Sequence, residues 1–156
     1  SDWSSDVCSS DLAEDMISLL ATYQGQLESE AVRHPSGRRF AGSAACADCH
    51  KHAFAVWKET PHATALATLE EQKPRRDGDP ECLSCHVVGW APQRFEPFEG
   101  GFAGMQSTPH LAHQGCENCH GPAAAHAAVE RVAALFRVPV EAIDRMGLTD
   151  RTTPGA

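Results

Sequence analysis

Cys46-Ala-Asp-Cys49-His50, Cys82-Leu-Ser-Cys85-His86 and Cys116-Glu-Asn-Cys119-His120 are three copies of one five-residue pattern, and they use six of the seven cysteines in the chain. On a helical turn, residues three and four apart share a face, so both sulfurs and the following imidazole can meet one flat ligand. Cys-x-x-Cys-His is the pattern of covalent c-type haem attachment: the two Cys form thioethers with the vinyl groups, and the His is the proximal iron ligand. Two rival chemistries also use Cys-x-x-Cys. A structural zinc site needs four ligands and has no use for a His directly after every second Cys. A dithiol redox site needs one such pair among alternating strands and helices, and no such alternation is visible. The copies are spaced by 36 and 34 residues, which predicts an array of three haem c groups on one chain. Cys46, Cys49, Cys82, Cys85, Cys116 and Cys119 are the attachment points, and His50, His86 and His120 the proximal ligands.

Composition agrees with a cofactor-built core. A chain of 156 residues suits one domain, yet aromatics make up only 6% of it and Gly and Pro number 12 and 10. Haem would supply the apolar bulk that such a chain lacks, as metals and disulfides do in small scaffolds. The formal charge of −8 disfavours nucleic acid and favours basic partners. No stretch approaches the ~18 consecutive apolar residues of a membrane span.

Residues 1–12 match one reading frame of a widely used short-read sequencing adapter and are set aside, together with Cys8, the odd thiol. With such a start, the lack of a signal peptide carries no information on compartment. From Ala13 to about Val32, Met16, Leu20, Tyr23 and Leu27 form one apolar stripe of an amphipathic helix. His34 to Arg39 reads as a solvated linker, so 13–39 is a helix and linker that fits the tail of an upstream domain. The haem-carrying domain is expected over 40–138. Ser43 is the expected N-cap of a helix running through the first motif to about Glu59, and a second helix is expected from His62 to Gln72. Between His86 and Cys116 lies irregular, aromatic coil suited to haem walls, followed by an Ala-rich helix from Ala123 to Val138 and a truncated tail over 139–156. No strand pairing is convincing. The predicted class is mainly α with extensive irregular coil.

Six His are left for the sixth coordination positions. A haem with two His ligands is saturated and passes electrons without binding substrate at iron. His62, after Trp57 and Pro61, is placed to turn back toward a neighbouring haem, and so is His126 on the Ala-rich helix. His110 and His113 compete for a third place. His52 and His34 read as solvated, and Met105 as packing.

Two stretches carry a family resemblance: Phe40-Ala-Gly-Ser-Ala-Ala-Cys46-Ala-Asp-Cys49-His50 followed by Trp57-Lys-Glu-Thr-Pro-His62-Ala-Thr-Ala, and Gly115-Cys-Glu-Asn-Cys-His120-Gly-Pro-Ala-Ala-Ala-His126. Over about 40–126 the chain resembles the multihaem cytochrome c-554 family. The resemblance implies a periplasmic electron carrier with closely stacked covalent haems, mostly bis-His, and it implies His62 and His126 as distal ligands. Thr108-Pro-His110 echoes Thr60-Pro-His62, which ranks His110 above His113. The family usually carries four haems, so a fourth motif is expected beyond Ala156. The resulting expectation is extracytoplasmic electron transfer with redox proteins as partners, and an electron carrier rather than an enzyme. Two alternatives stand beside it. One is a catalytic multihaem oxidoreductase acting on a small nitrogen or sulfur compound at a five-coordinate haem; the other is an electron-transfer module of a larger fused enzyme.

Overall fold

In the computed structural model, which describes residues 11–137, 139 and 141–142, the backbone is built of short helices joined by ordered coil. Residues 1–10 of the adapter-like stretch 1–12, with Cys8, and most of the tail lie outside the described residues. The α-helices in chain order are α1 (Asp11–Ser29), α2 (Lys51–Lys58), α3 (Ala65–Glu70), α4 (Pro80–His86), α5 (Glu117–His120) and α6 (Ala124–Phe136). Tight 3₁₀ turns at Ser43–Cys46, Pro61–Thr64 and Pro109–Leu111 precede or link them.

Pro and Gly explain the shortness of these helices. Pro61, Pro80 and Pro109 each sit in the first turn of an element, where a missing N–H costs nothing. Asp79 caps α4 by accepting from the Glu81 N–H at 3.0 Å. The helix expected to run unbroken from Ser43 to Glu59 is instead split into a 3₁₀ turn, the motif and α2. Ser43 is buried and does not cap that turn; its hydroxyl accepts from the Cys116 N–H at 3.1 Å, so a long-range bond displaces the local one. The coil between His86 and Cys116 holds one small pairing: β1 (Trp90–Ala91) and β2 (Glu96–Pro97) run antiparallel, Trp90 opposite Pro97. The expectation of no strand pairing is corrected to that extent.

The protein core lies around the second motif. Leu66 and Leu69 of α3 pack with Leu83 of α4, and the coil lays Val87, Val88, Trp90, Phe102 and Leu111 over them. Leu83, Val87 and Leu111 are fully buried. Burying one such side chain is worth roughly 1.5–3 kcal/mol. Outside that pairing the coil satisfies its polar groups by bonds between loops: the Val88 N–H donates to Leu111 O at 2.9 Å, the Phe102 N–H to Val88 O at 3.0 Å, and the Trp90 indole to Phe102 O at 3.1 Å.

The segment after α1 is tied to this coil. Val32 donates to Pro97 O at 3.2 Å and accepts from the Glu99 N–H at 2.7 Å. His34, expected to be solvated, is instead packed edge-on against Phe98 and Phe40, with ring centroids 4.9 and 6.0 Å away. Its neutral ring fills an aromatic notch, and burial, reinforced by the Arg38 charge, lowers its pKa. The sign of the consequence is fixed. In the unfolded chain the ring titrates near about 6.5, and the folded state resists that proton. Stability is therefore unaffected above that pH and falls as pH drops through it. The denaturant midpoint is expected to decrease modestly from pH 7.5 to 5.5, and to decrease less in His34→Phe; an identical decrease in the variant would count against the assignment.

Candidate haem centre

The three motifs repeat one local geometry. In each, the first Cys is half-buried and the second exposed. In the first and third, the His N–H closes a helical turn onto the first Cys carbonyl, at 2.9 Å for His50 and 3.0 Å for His120. The second motif forms the last turns of α4. This turn sets the sulfurs and the imidazole on one side of the chain, as the spacing predicts.

The first and third motifs face each other across one cavity of about 610 Å³, which both Cys pairs, His50 and His120 line. Cofactor sites span roughly 300–1,000 Å³. His62 and His126 also line it, and Phe54 and Trp57 give it an aromatic wall. Cys46 and Cys116 are neighbours: burial raises the Cys46 pKa, and the Cys116 thiol adds to the rise. Burial likewise raises the Cys82 pKa, with Asp79 contributing. Among the described residues, no three His, Cys, Asp or Glu side chains converge on a point that could hold a metal ion alone.

The imidazoles pass a stricter test of fit. His50 and His126 stand with ring centroids 6.2 Å apart and planes inclined by 35°. That spacing is wide enough that the two rings could together hold one metal-bearing group between them. His62 is carried toward the third motif by its backbone: its carbonyl accepts from the Gln114 N–H at 3.1 Å, and the Trp57 indole donates to Gln114 O at 2.9 Å. His126 and His62 thus each lie in the segment downstream of one motif and reach toward the other.

His86 is held differently. Its Nδ1 lies 2.6 Å from Ala65 O, and since a carbonyl only accepts, Nδ1 carries the proton and Nε2 keeps the lone pair. This is the usual way an outer hydrogen bond orients a ligating imidazole. His110 is exposed in the Pro109–Leu111 turn, its carbonyl beside Gly42 ahead of the first motif. His113 is half-buried, with its Nδ1 accepting from the Leu66 N–H at 3.2 Å. His52 is exposed on α2, and Met105 is half-exposed.

The residues that fasten the motifs together were not legible in the sequence. Glu117, the second residue of the third motif, is only 4% exposed. Its carboxylate accepts from the N–H groups of Ala41 (2.9 Å), Gly42 (2.7 Å) and Ala123 (2.7 Å), binding the approach to the first motif to the exit from the third. Asn118 reaches the second: its amide donates to Val87 O at 2.8 Å, while its oxygen accepts from the Gly115 N–H at 2.8 Å. A Glu next to a Cys gives no sequence signal of this role, because all its partners but Ala123 lie some 75 residues away.

Two comparisons with known proteins bear on the same segment. The profile of the family described as cytochrome c554 and c-prime matches residues 45–121. Cytochrome c-554 of Nitrosomonas europaea is 34% identical over 96 residues, a match covering 53% of this chain and 38% of that protein. The chain therefore spans well under half the length of this relative. No solved structure matches the chain significantly. Through the segment that holds all three motifs, the chain belongs to the cytochrome c-554 family, whose members are haem-binding, electron-transferring c-type cytochromes.

Proposed function

We propose that this chain binds three haem c groups, one at each motif, and conducts electrons among them outside the cytoplasm. The observation that carries the reading is the single cavity in which two complete attachment motifs face two further imidazoles, His62 and His126. Bound haem supplies one-electron iron chemistry. Cys46 and Cys49 would hold one group, with His50 and His126 as its imidazole ligands; Cys116 and Cys119 would hold another, with His120 and His62. Each chain segment thus lends a ligand to the haem of the other, which keeps the two groups in mutual register. Arg38 and Arg131 in the cavity wall are suited to the propionates. Cys82, Cys85 and His86 hold the third group, at the protein core.

A double imidazole set saturates the iron and keeps the potential below that of His/Met sites. The acidic chain, at −8, suits redox partners with a basic docking face. Among the described residues no helix is long and apolar enough to cross a membrane, and covalent haem attachment outside the bacterial cytoplasm supports a periplasmic location.

Two observations favour a second reading at His86. His110, expected from sequence as a sixth ligand, sits in a turn beside the first motif, and the His113 Nδ1 lone pair is already engaged by Leu66. With that nitrogen accepting, the His113 proton resides on Nε2, which a neutral ligand would need free. An open position at this haem would admit a small nitrogen compound.

Mass spectrometry should find three covalent haems, and His62→Ala and His126→Ala should each convert one low-spin ferric haem to a high-spin, cyanide-binding form in electron paramagnetic resonance. Unchanged spectra in both variants would remove the proposed axial pairs. A high-spin signal already present in the parent chain, shifted by nitrite or hydroxylamine, would establish the second reading.

A further inference from the structure

One peptide group joins two of the imidazoles already described. His86 Nδ1–H donates to the carbonyl of Ala65 at 2.6 Å, and the N–H of Leu66, the other end of that same peptide, donates to His113 Nδ1 at 3.2 Å. Both tautomers are dictated by the partners, since the carbonyl can only accept and the amide can only donate. We propose that His113 is a remote positioning residue for the iron at the second motif, acting through the Ala65–Leu66 peptide on the proximal His86.

The inference rests on His86 as the proximal ligand of that haem. A peptide whose N–H is engaged has a more electron-rich carbonyl, because hydrogen bonds in series polarise one another. Ala65 O then pulls harder on the Nδ1 proton of His86. The imidazole gains imidazolate character, donates more strongly to iron and favours the ferric state. His113 is held to this task by its backbone: its φ is 69°, a strained value for a residue with a side chain. Burial also lowers its pKa, partly offset by Glu70, which keeps the accepting lone pair available.

A second group acts on the same oxygen with the opposite sign. The Thr68 hydroxyl donates to Ala65 O at 2.6 Å and competes with His86 for it. Its removal leaves His86 one competitor fewer at that carbonyl. A His113 that merely caps the first turn of α3 would predict neither effect.

The test uses the haem-loaded chain and potentiometric titration followed by absorption, with resonance Raman detection of the iron–histidine stretch. His113→Leu should shift one haem about two- to four-fold in its one-electron equilibrium toward the reduced form. His113→Gln, whose side-chain oxygen can accept from Leu66, should restore most of the shift. Thr68→Val should move the same haem the other way. Unshifted potentials in folded His113→Leu, or shifts of one sign in His113→Leu and Thr68→Val, would overturn the proposal. Nitrogen NMR of the parent protein gives a reading that needs no variant: an Nε2–H tautomer at His113 supports the relay, and an Nδ1–H tautomer or an iron-bound His113 defeats it. His86→Gln separates the underlying ligand reading. If one haem then loses its iron–histidine stretch while the His113 variants stay unshifted, the relay alone fails; if the stretch survives, the ligand assignment fails with it.

Discussion

Glu117→Ala is expected to lower the stability of the haem-loaded chain by about 3–5 kcal/mol, since a buried N–H left without a partner costs roughly 1–3 kcal/mol and one buried and two half-buried N–H groups are released at once. The three belong to Ala41, Gly42 and Ala123, and the carboxylate that gathers them is almost wholly removed from solvent. Water entering the space left by the side chain recovers part of the loss, which is why the estimate lies below the full sum. Against a typical domain stability of about 5–15 kcal/mol, this loss is severe. Glu117→Gln should cost less, about 2 kcal/mol, because the amide keeps one accepting oxygen but turns a donor toward N–H groups that are donors themselves. Guanidinium unfolding followed at the haem absorption band gives both values. A midpoint within error of the parent in Glu117→Ala would show that the clamp contributes nothing in solution.

The second large effect is expected at Gly89, where conformation and space act together. Its φ is +85°, and a Cβ there would stand 2.5 Å from Gly101 Cα and 3.1 Å from the Phe40 ring. Phe40 can give way; the Gly101 backbone cannot, being held by the Gly101 N–H to Phe98 O bond at 2.8 Å and by the adjoining Phe102 N–H to Val88 O bond at 3.0 Å. Gly89→Ala should therefore cost about 3 kcal/mol or more, from left-handed strain of roughly 1–2 kcal/mol plus overpacking of similar size. Gly25→Ala provides the opposing control. It lies within α1 with open space around its Cβ, and should raise stability by up to about 1 kcal/mol through helix propensity. Thermal melts of the two variants should move in opposite directions, and a Gly89→Ala melt equal to the parent would contradict the packing described for this seam.

Sequence and structure agree where the information is local. The Cys-x-x-Cys-His turns, the breaks at Pro61 and Pro80 and the coil after His86 all follow from spacing and backbone restriction within a few residues. His62 and His126, singled out from the sequence because each follows a motif at a distance that lets the chain double back, both line the cavity. His34 and Ser43 were misjudged for one reason: each has a local role written in its neighbours, a solvated linker or a helix cap, and each is claimed by a distant partner, Phe98 or the Cys116 N–H. Such partners become adjacent only once the chain has folded, and no periodicity announces them. The choice between His110 and His113 rested on a local echo, whereas their surroundings differ: the His110 carbonyl lies beside Gly42, and His113 accepts a hydrogen bond from Leu66 of α3.

The positions of Glu117 and Asn118 along the chain bear on its biogenesis. Synthesis proceeds from the N-terminus, so a nascent chain that has emerged through His86 presents two complete attachment motifs and neither of the side chains that fasten them. The carboxylate that holds Ala41 and Gly42, and the amide that holds Val87, arrive only with the third motif. Until then neither clamp can close on the first two motifs.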